Sequence, residues 1–288
     1  MVQSKRQASR ADDSGVSIRQ DRLACQRMGG IVSDLVVGSG PTAFAAALGV
    51  AARGGQPVLL DFGKGIAGAR AGLVGTSALA VKTDNGRGGA FAYPTSLVVA
   101  EDGGHLPLSS ARGGLSRIWG AGVLMRDDEE LAQFGPAEQG VRDGYLAVMA
   151  AIPTVGRVDA TSERFPWPGE HPTAPQSRRF ARLAQLLQAP AQDGVLFGFP
   201  RVALDLRNLP GCLRCGQCLS GCPEHLFFNS GRELEGMSAA GVVSWLPGPA
   251  MSISCHRGGA EVSTPRGPVR AKRVYLAAGP VATTALLQ

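Results

Sequence analysis

Four thiols lie within eleven residues of a 288-residue chain: Cys212, Cys215, Cys218 and Cys222, spaced C-x2-C-x2-C-x3-C and followed by Pro223. At this spacing a tight loop turns thiolates inward, the arrangement with which bacterial ferredoxins hold an iron-sulfur cube. Gly216 and Gly221 supply the turns, and Pro223 keeps the loop out of regular helix or strand. Paired clusters use the fourth cysteine of such a run for the neighbouring cube. Here either Cys222 closes one site locally, or a remote thiol such as Cys25 or Cys255 completes it. Two rivals stay open: a loop that has lost its metal, and a zinc site. Zinc usually takes two C-x2-C pairs about a dozen or more residues apart, which this run lacks. His225 reads as a packed or capping side chain rather than a ligand.

A second constellation binds phosphate rather than metal. In IVSDLVVGSGPTAFAAALGVAARGGQPVLLD, Ile31 to Asp61, the glycines Gly38 and Gly40 bracket Ser39 between an apolar run and a helical pattern. Gly38 permits a tight turn, Gly40 lets backbone approach a pyrophosphate, and Ala43 takes the place of the third glycine that packs helix on strand. Phosphates would sit on free N–H groups at the helix start, where the dipole favours negative charge. Asp61 closes the unit about 20 residues on, placed to accept hydrogen bonds from ribose hydroxyls. The alternatives are an α/β unit with no nucleotide, and a membrane span over the uncharged Leu35 to Ala52. Gly38, Gly40 and Pro41 break the uninterrupted run of about 20 apolar residues that a span needs.

These residues require a strand over Ile31 to Val37, a helix from about Pro41 to Arg53, and a second strand ending at Asp61. Phe62 to Gly89 has no sustained period and reads as loops with a short helix; Phe91 to Ala100 is extended. In ARGGLSRIWGAGVLM, Ala111 to Met125, Gly113 and Gly114 with small neighbours suit backbone passing a flat ligand. A glycine turn before a buried Trp119 explains them equally well. Asp127 to Ile152 is helical in two pieces split at Gly135-Pro136, with acids in the first turn. Pro153 to Pro175 has no period, and Ser177 to Leu187 is an amphipathic helix. Short strands over Val242 to Trp245, Met251 to His256, Ala260 to Pro265 and Arg273 to Ala278 form an antiparallel meander feeding a last apolar strand. Ala277, Ala278 and Gly279 then face the binding crevice at that strand's carboxyl end, before a helix over Val281 to Leu287.

The expected fold is therefore α/β: a Rossmann-like dinucleotide-binding domain with a β-meander, residues 30–126 and 236–288, interrupted by a lobe over 127–235 that carries the cysteine loop 211–223. Residues 1–29 form a disordered arm without the apolar region of a secretory signal; Met28, just before the first strand, is an alternative start. A cytoplasmic protein follows, in which clustered thiols point to metal rather than disulfides. The composition, 44% hydrophobic and 18% charged with 40 glycines, is that of a turn-rich folded protein rather than a disordered one. The net charge of +6 is spread thinly, with no aromatics among its basic clusters, so no nucleic-acid face is expected.

Three stretches in order, DLVVGSGPTAFAAALG with Asp61, ARGGLSRIWGAGVL and RVYLAAGPVATTALL, resemble the flavin-binding segments of the glucose-methanol-choline oxidoreductases, especially bacterial relatives with a cysteine-rich loop. The resemblance covers most of residues 31 to 288. It implies FAD, with Gly38, Gly40 and Ala43 at the pyrophosphate and Asp61 at the adenosine ribose. It sets Gly114, Ser116, Trp119, Gly120 and Ala121 beside the isoalloxazine, with Gly279 approaching the cofactor from the last strand. Some members attach flavin through a histidine where this chain has Ile118, so non-covalent FAD is expected. Members are usually much longer, with their catalytic histidine near the carboxyl terminus; none of His105, His171, His225 or His256 matches that position. The reading is an FAD-dependent oxidoreductase, or its flavin-binding half, acting on a CH–OH group of an alcohol or sugar. One [4Fe-4S] cluster would pass electrons to an acceptor. The alternative is a truncated, non-catalytic fragment or subunit needing a partner chain, suggested by the uncapped apolar helix at Gln288. A cysteine-knuckle nucleic-acid binder is a third reading, but it leaves the glycine pattern unexplained.

Overall fold

The computed structural model describes residues 30–63, 109–117, 119–123, 126, 128–155, 182, 201–205 and 226–288. The cysteine run, Ile118, His105, His171, His225, the segment expected over Phe62 to Gly89 beyond Gly63, and that over Phe91 to Ala100 lie outside these residues, as does all of the helix over Ser177 to Leu187 except Arg182.

The described strands are β1 (Val32–Val37), β2 (Val58–Asp61), β3 (Ser244–Pro247), β4 (Ser252–His256), β5 (Gly259–Ser263) and β6 (Val269–Leu276). The described α-helices are α1 (Pro41–Ala52), α2 (Asp128–Ala132), α3 (Glu138–Ala151), α4 (Ser230–Ala239) and α5 (Pro280–Leu287). All six strands join one sheet in the order β3-β2-β1-β6-β5-β4. The first four of that order run parallel, while β6, β5 and β4 form an antiparallel meander. Topology alone thus makes this a mixed α/β fold of Rossmann-like layout.

The second half of β1, Leu35 to Val37, is apolar because the strand lies at the middle of the sheet, covered on both faces. Val36 packs on one side with Ala43, Phe44 and Ala47 of α1, Leu59, and Leu234 of α4. Leu35 and Val37 point the other way, into a second cluster with Leu60, Leu246, Val262 and Ala271. Leu286 of α5 packs against that second cluster.

One strand differs from expectation. The segment around Val242 to Trp245 does not open the meander: as β3 it lies parallel to β2, with Val58 opposite Ser244 and Asp61 opposite Pro247. The run VVSW, three apolar residues and a serine, specifies a strand but not its partner, and the short β2 had an open side to fill. The lobe boundary drawn at Glu235 passes through α4, which packs on α1 and on the 3-10 turn Gly114–Arg117. The split helix is present as α2 and α3 around a 3-10 turn at Gly135–Ala137, with Arg142 tied to Glu138 at 2.7 Å and Asp128 at 2.9 Å.

Candidate functional site

The glycine turn sits where β1 and β6 both deliver their carboxyl ends. Gly38 has φ of +110°, and a side chain there would strike the Ala277 carbonyl, so its glycine is demanded by the neighbouring strand as well as by the turn. Gly38 N–H donates to the Leu60 carbonyl at 2.8 Å, and Ala277 N–H to the Val37 carbonyl at 2.9 Å, stitching the turn to strands on both sides. Gly40 differs: it is the N-cap of α1 with an ordinary φ of −69°, and a Cβ there would meet nothing within 4 Å. No side chain caps α1. Its first turn therefore presents backbone donors toward an open hollow, which is what an anion requires. Ala43 is fully buried against the strands, as close helix–strand packing needs.

Asp61 ends β2 beside this turn. Its carboxylate accepts the Gly63 N–H at 2.6 Å. Burial is the largest influence on it and pushes its pKa above the ordinary carboxylate value, while hydrogen bonding with Ser39 and Gly63 and the positive Arg112 pull the other way. A buried carboxylate of this kind is stabilised when a ligand hydroxyl donates to it.

The Ala111 to Ala121 segment folds back over the turn. Gly113 has φ of +90°, and a Cβ there would fall 2.6 Å from the Asn229 side-chain oxygen. Its N–H donates to the Ser39 hydroxyl at 2.8 Å. Gly114 has φ of +57° and lies over Gly40. Ser116 is buried, and its hydroxyl donates to the Gly113 carbonyl at 2.6 Å, so it braces the segment from inside. Trp119 donates its indole N–H to the Phe228 carbonyl at 3.0 Å, and both Trp119 and Phe44 meet the Phe228 ring edge-on. Gly120 is exposed, whereas Ala121 is fully buried in the left-handed region at φ of +54°. Such a conformation costs a non-glycine residue about 1–2 kcal/mol and persists only where the surroundings fix it. Here Ala121 O accepts the Ala203 N–H at 2.8 Å. Gly279, at φ of +86°, opens α5 with free space beside it.

Several residues of this region were not singled out in the sequence. Ser230, fully buried at the start of α4, donates to the Ser39 carbonyl at 2.9 Å and touches Ser116 Oγ at 3.0 Å. The preceding Asn229 caps α4 through its side chain, and an Asn before a helix with Glu233 in the first turn was the readable clue. Arg112 lies 4.2 Å from the Trp245 ring centroid and 3.3 Å from Glu235, with its Nε buried and unpartnered among the described residues. Burial holds Arg117 below the usual arginine range, opposed by Glu235.

Metal and catalytic expectations find less purchase. Among the described residues no group of three or more His, Cys, Asp or Glu side chains could hold a metal ion, and the four clustered cysteines lie outside them. Cys255 and His256 are exposed on β4. No described helix is long and apolar enough to cross a membrane.

No family model matches the sequence, and no curated protein does. Solved structures similar in shape include pyridoxine 4-oxidase from Mesorbium loti, with 14% identity, TM-score 0.49, and 89% of this chain covering 51% of that one. L-amino acid deaminase from Proteus vulgaris gives 13% identity and TM-score 0.40 over 89% of this chain and 49% of its own. Glycine oxidase from Bacillus cereus gives 13% identity and TM-score 0.31 over 89% and 57%. The chain thus spans about half the length of these solved proteins.

Proposed function

We propose that this chain binds FAD and is the flavin-binding part of an oxidoreductase that acts on a CH–OH group of an alcohol or sugar. The observation that carries the reading is the uncapped start of α1, where Gly40 opens onto free space with Asp61 alongside. Gly40 and the first residues of α1 hold the pyrophosphate through backbone N–H groups. Asp61 accepts the ribose hydroxyls, and ionisation is then favoured despite its burial. Gly114, Gly120 and Gly279 leave room for the flat ring system, while Trp119 and Ser116 are braced from behind and keep that surface rigid. A bound flavin would supply the hydride-accepting chemistry, and the protein supplies orientation and electrostatics. The only histidine among the described residues, His256, is exposed on β4. No described residue is assigned to take the alcohol proton.

The cysteine spacing supports an onward electron path through one [4Fe-4S] cluster. Asp205 and Leu226, the described residues on either side of 206–225, are hydrogen-bonded, Asp205 N–H to the Leu226 carbonyl at 2.7 Å. Two residues earlier, Ala203 bonds both Ala121 and Phe228, so these flanking residues lie beside the segment assigned to the flavin ring.

The absorption spectrum of protein purified without oxygen tests both parts. Bands near ~370 and ~450 nm with releasable FAD are expected from the flavin. Broad absorption near ~400 nm with stoichiometric iron and sulfide is expected from the cluster. Protein that takes up no FAD, even when supplied with it, overturns the cofactor assignment; flavin without iron removes only the cluster.

A further inference from the structure

The buried hydroxyl of Ser230 has a purpose that packing alone does not explain. Ser230 is fully buried at the start of α4, yet its Oγ reaches across to the Ser39 carbonyl at 2.9 Å, 191 residues away in sequence. The local proton count can be closed. Ser116 O–H has its shortest partner in the Gly113 carbonyl, at 2.6 Å, and Ser116 Oγ accepts the Ser230 backbone N–H at 3.1 Å. That leaves the Ser230 proton for the Ser39 carbonyl, nearer than the Gly113 carbonyl at 3.2 Å. Every donor in this buried cluster then has an acceptor.

The Ser39 carbonyl shares a peptide plane with the Gly40 N–H, and in a trans peptide the two point in opposite directions. Holding the carbonyl toward α4 therefore turns the Gly40 N–H away from α4. We propose that Ser230 is a positioning residue: it sets the Ser39–Gly40 peptide so that the Gly40 N–H is aimed at the cofactor's pyrophosphate. This rests on the nucleotide reading of the turn. The Ser39 hydroxyl adds a second anchor by accepting the Gly113 N–H at 2.8 Å, so the turn is fixed on both sides before ligand arrives.

The test is Ser230→Ala in the full chain, with FAD, ADP and adenosine as probes by titration calorimetry. Adenosine uses Asp61 but brings no phosphate. The variant is expected to weaken FAD and ADP about 10-fold, the worth of one lost orienting hydrogen bond, and to leave adenosine unchanged. The Gly40 amide, identified in glycine-labelled protein, is expected to shift in the absence of ligand. Ser230→Cys, close in size with a weaker donor, falls between the two and guards against a folding defect in the alanine variant. Equal binding of ADP by wild type and Ser230→Ala, or an equal loss of ADP and adenosine, overturns the proposal. Should wild type bind none of the three probes, the nucleotide reading fails instead, and an unmoved Gly40 amide would then overturn the positioning role as well.

Discussion

Asp61 shows how one side chain is read two ways. In the sequence it was a ribose acceptor by its distance from the glycines, and its place at the end of β2 beside the turn agrees. What the sequence did not carry is its cost: burial raises its pKa despite Ser39, Gly63 and Arg112. A group whose folded pKa is raised stabilises the fold at pH below its ordinary value and withdraws that stability as pH rises through the folded one. The ligand-free fold therefore loses stability as Asp61 ionises, although binding needs that charge. Asp61→Asn is expected to raise the melting temperature of ligand-free protein at pH 7 while weakening FAD about 10-fold, the worth of a hydrogen bond to a charged acceptor. It should also abolish the loss of affinity expected of the wild type on acidification. Calorimetric titrations across pH, paired with thermal melts, check all three. Ser230 marks the other limit of reading by residue, because a serine gives no sign of a partner 191 positions away.

Among elements, β1 was the most legible and still held a surprise. Its bounds follow from an apolar run ended by glycine, and α1 begins at Pro41, the residue type suited to a first helical position. Within β1, however, Asp34 is buried and held by Arg273 of β6 through two bonds of 2.7 and 3.0 Å, with the Tyr275 hydroxyl at 3.2 Å. The hydrogen bond from Arg273 is the main cause of its pKa lying below the ordinary value, against the effect of burial. This pair ties the register of two parallel strands whose contact no local pattern announces. With its folded pKa depressed, Asp34 stabilises the fold above its unfolded value, near ~3.9, and less as pH falls through the lowered one. Arg273→Ala leaves Asp34 with only the Tyr275 hydroxyl and is expected to lower the melting temperature at pH 7. Melts at neutral pH and at pH 3.5 check it: the gap from wild type should narrow in acid, where the variant's carboxyl is protonated. The misassigned partner of β3 has the same root, since strand sequence fixes a face but rarely a neighbour.

At the scale of the whole molecule, the site is assembled from pieces far apart in the chain: the turn at 38–40, the loop at 113–121 and the start of α4 at 229–230. The first two were readable because glycine is needed where backbones meet or turn left-handed, as at Gly38 and Gly113. The third was not, because α4 looked like the end of a separate lobe, whereas it packs on α1 and supplies the inner wall. The account turns on the hollow at Gly40, and Gly40→Asp probes it directly. Backbone φ there suits any residue and a side chain has open space, so the fold should survive with its melting temperature little changed. A carboxylate placed against the pyrophosphate should lower FAD affinity by about 100-fold or more, since like charges brought together cost several kcal/mol. Calorimetric titration of FAD into wild type and Gly40→Asp is the deciding measurement: binding by the first and its loss in a folded second is predicted, and equal binding by both would contradict the account.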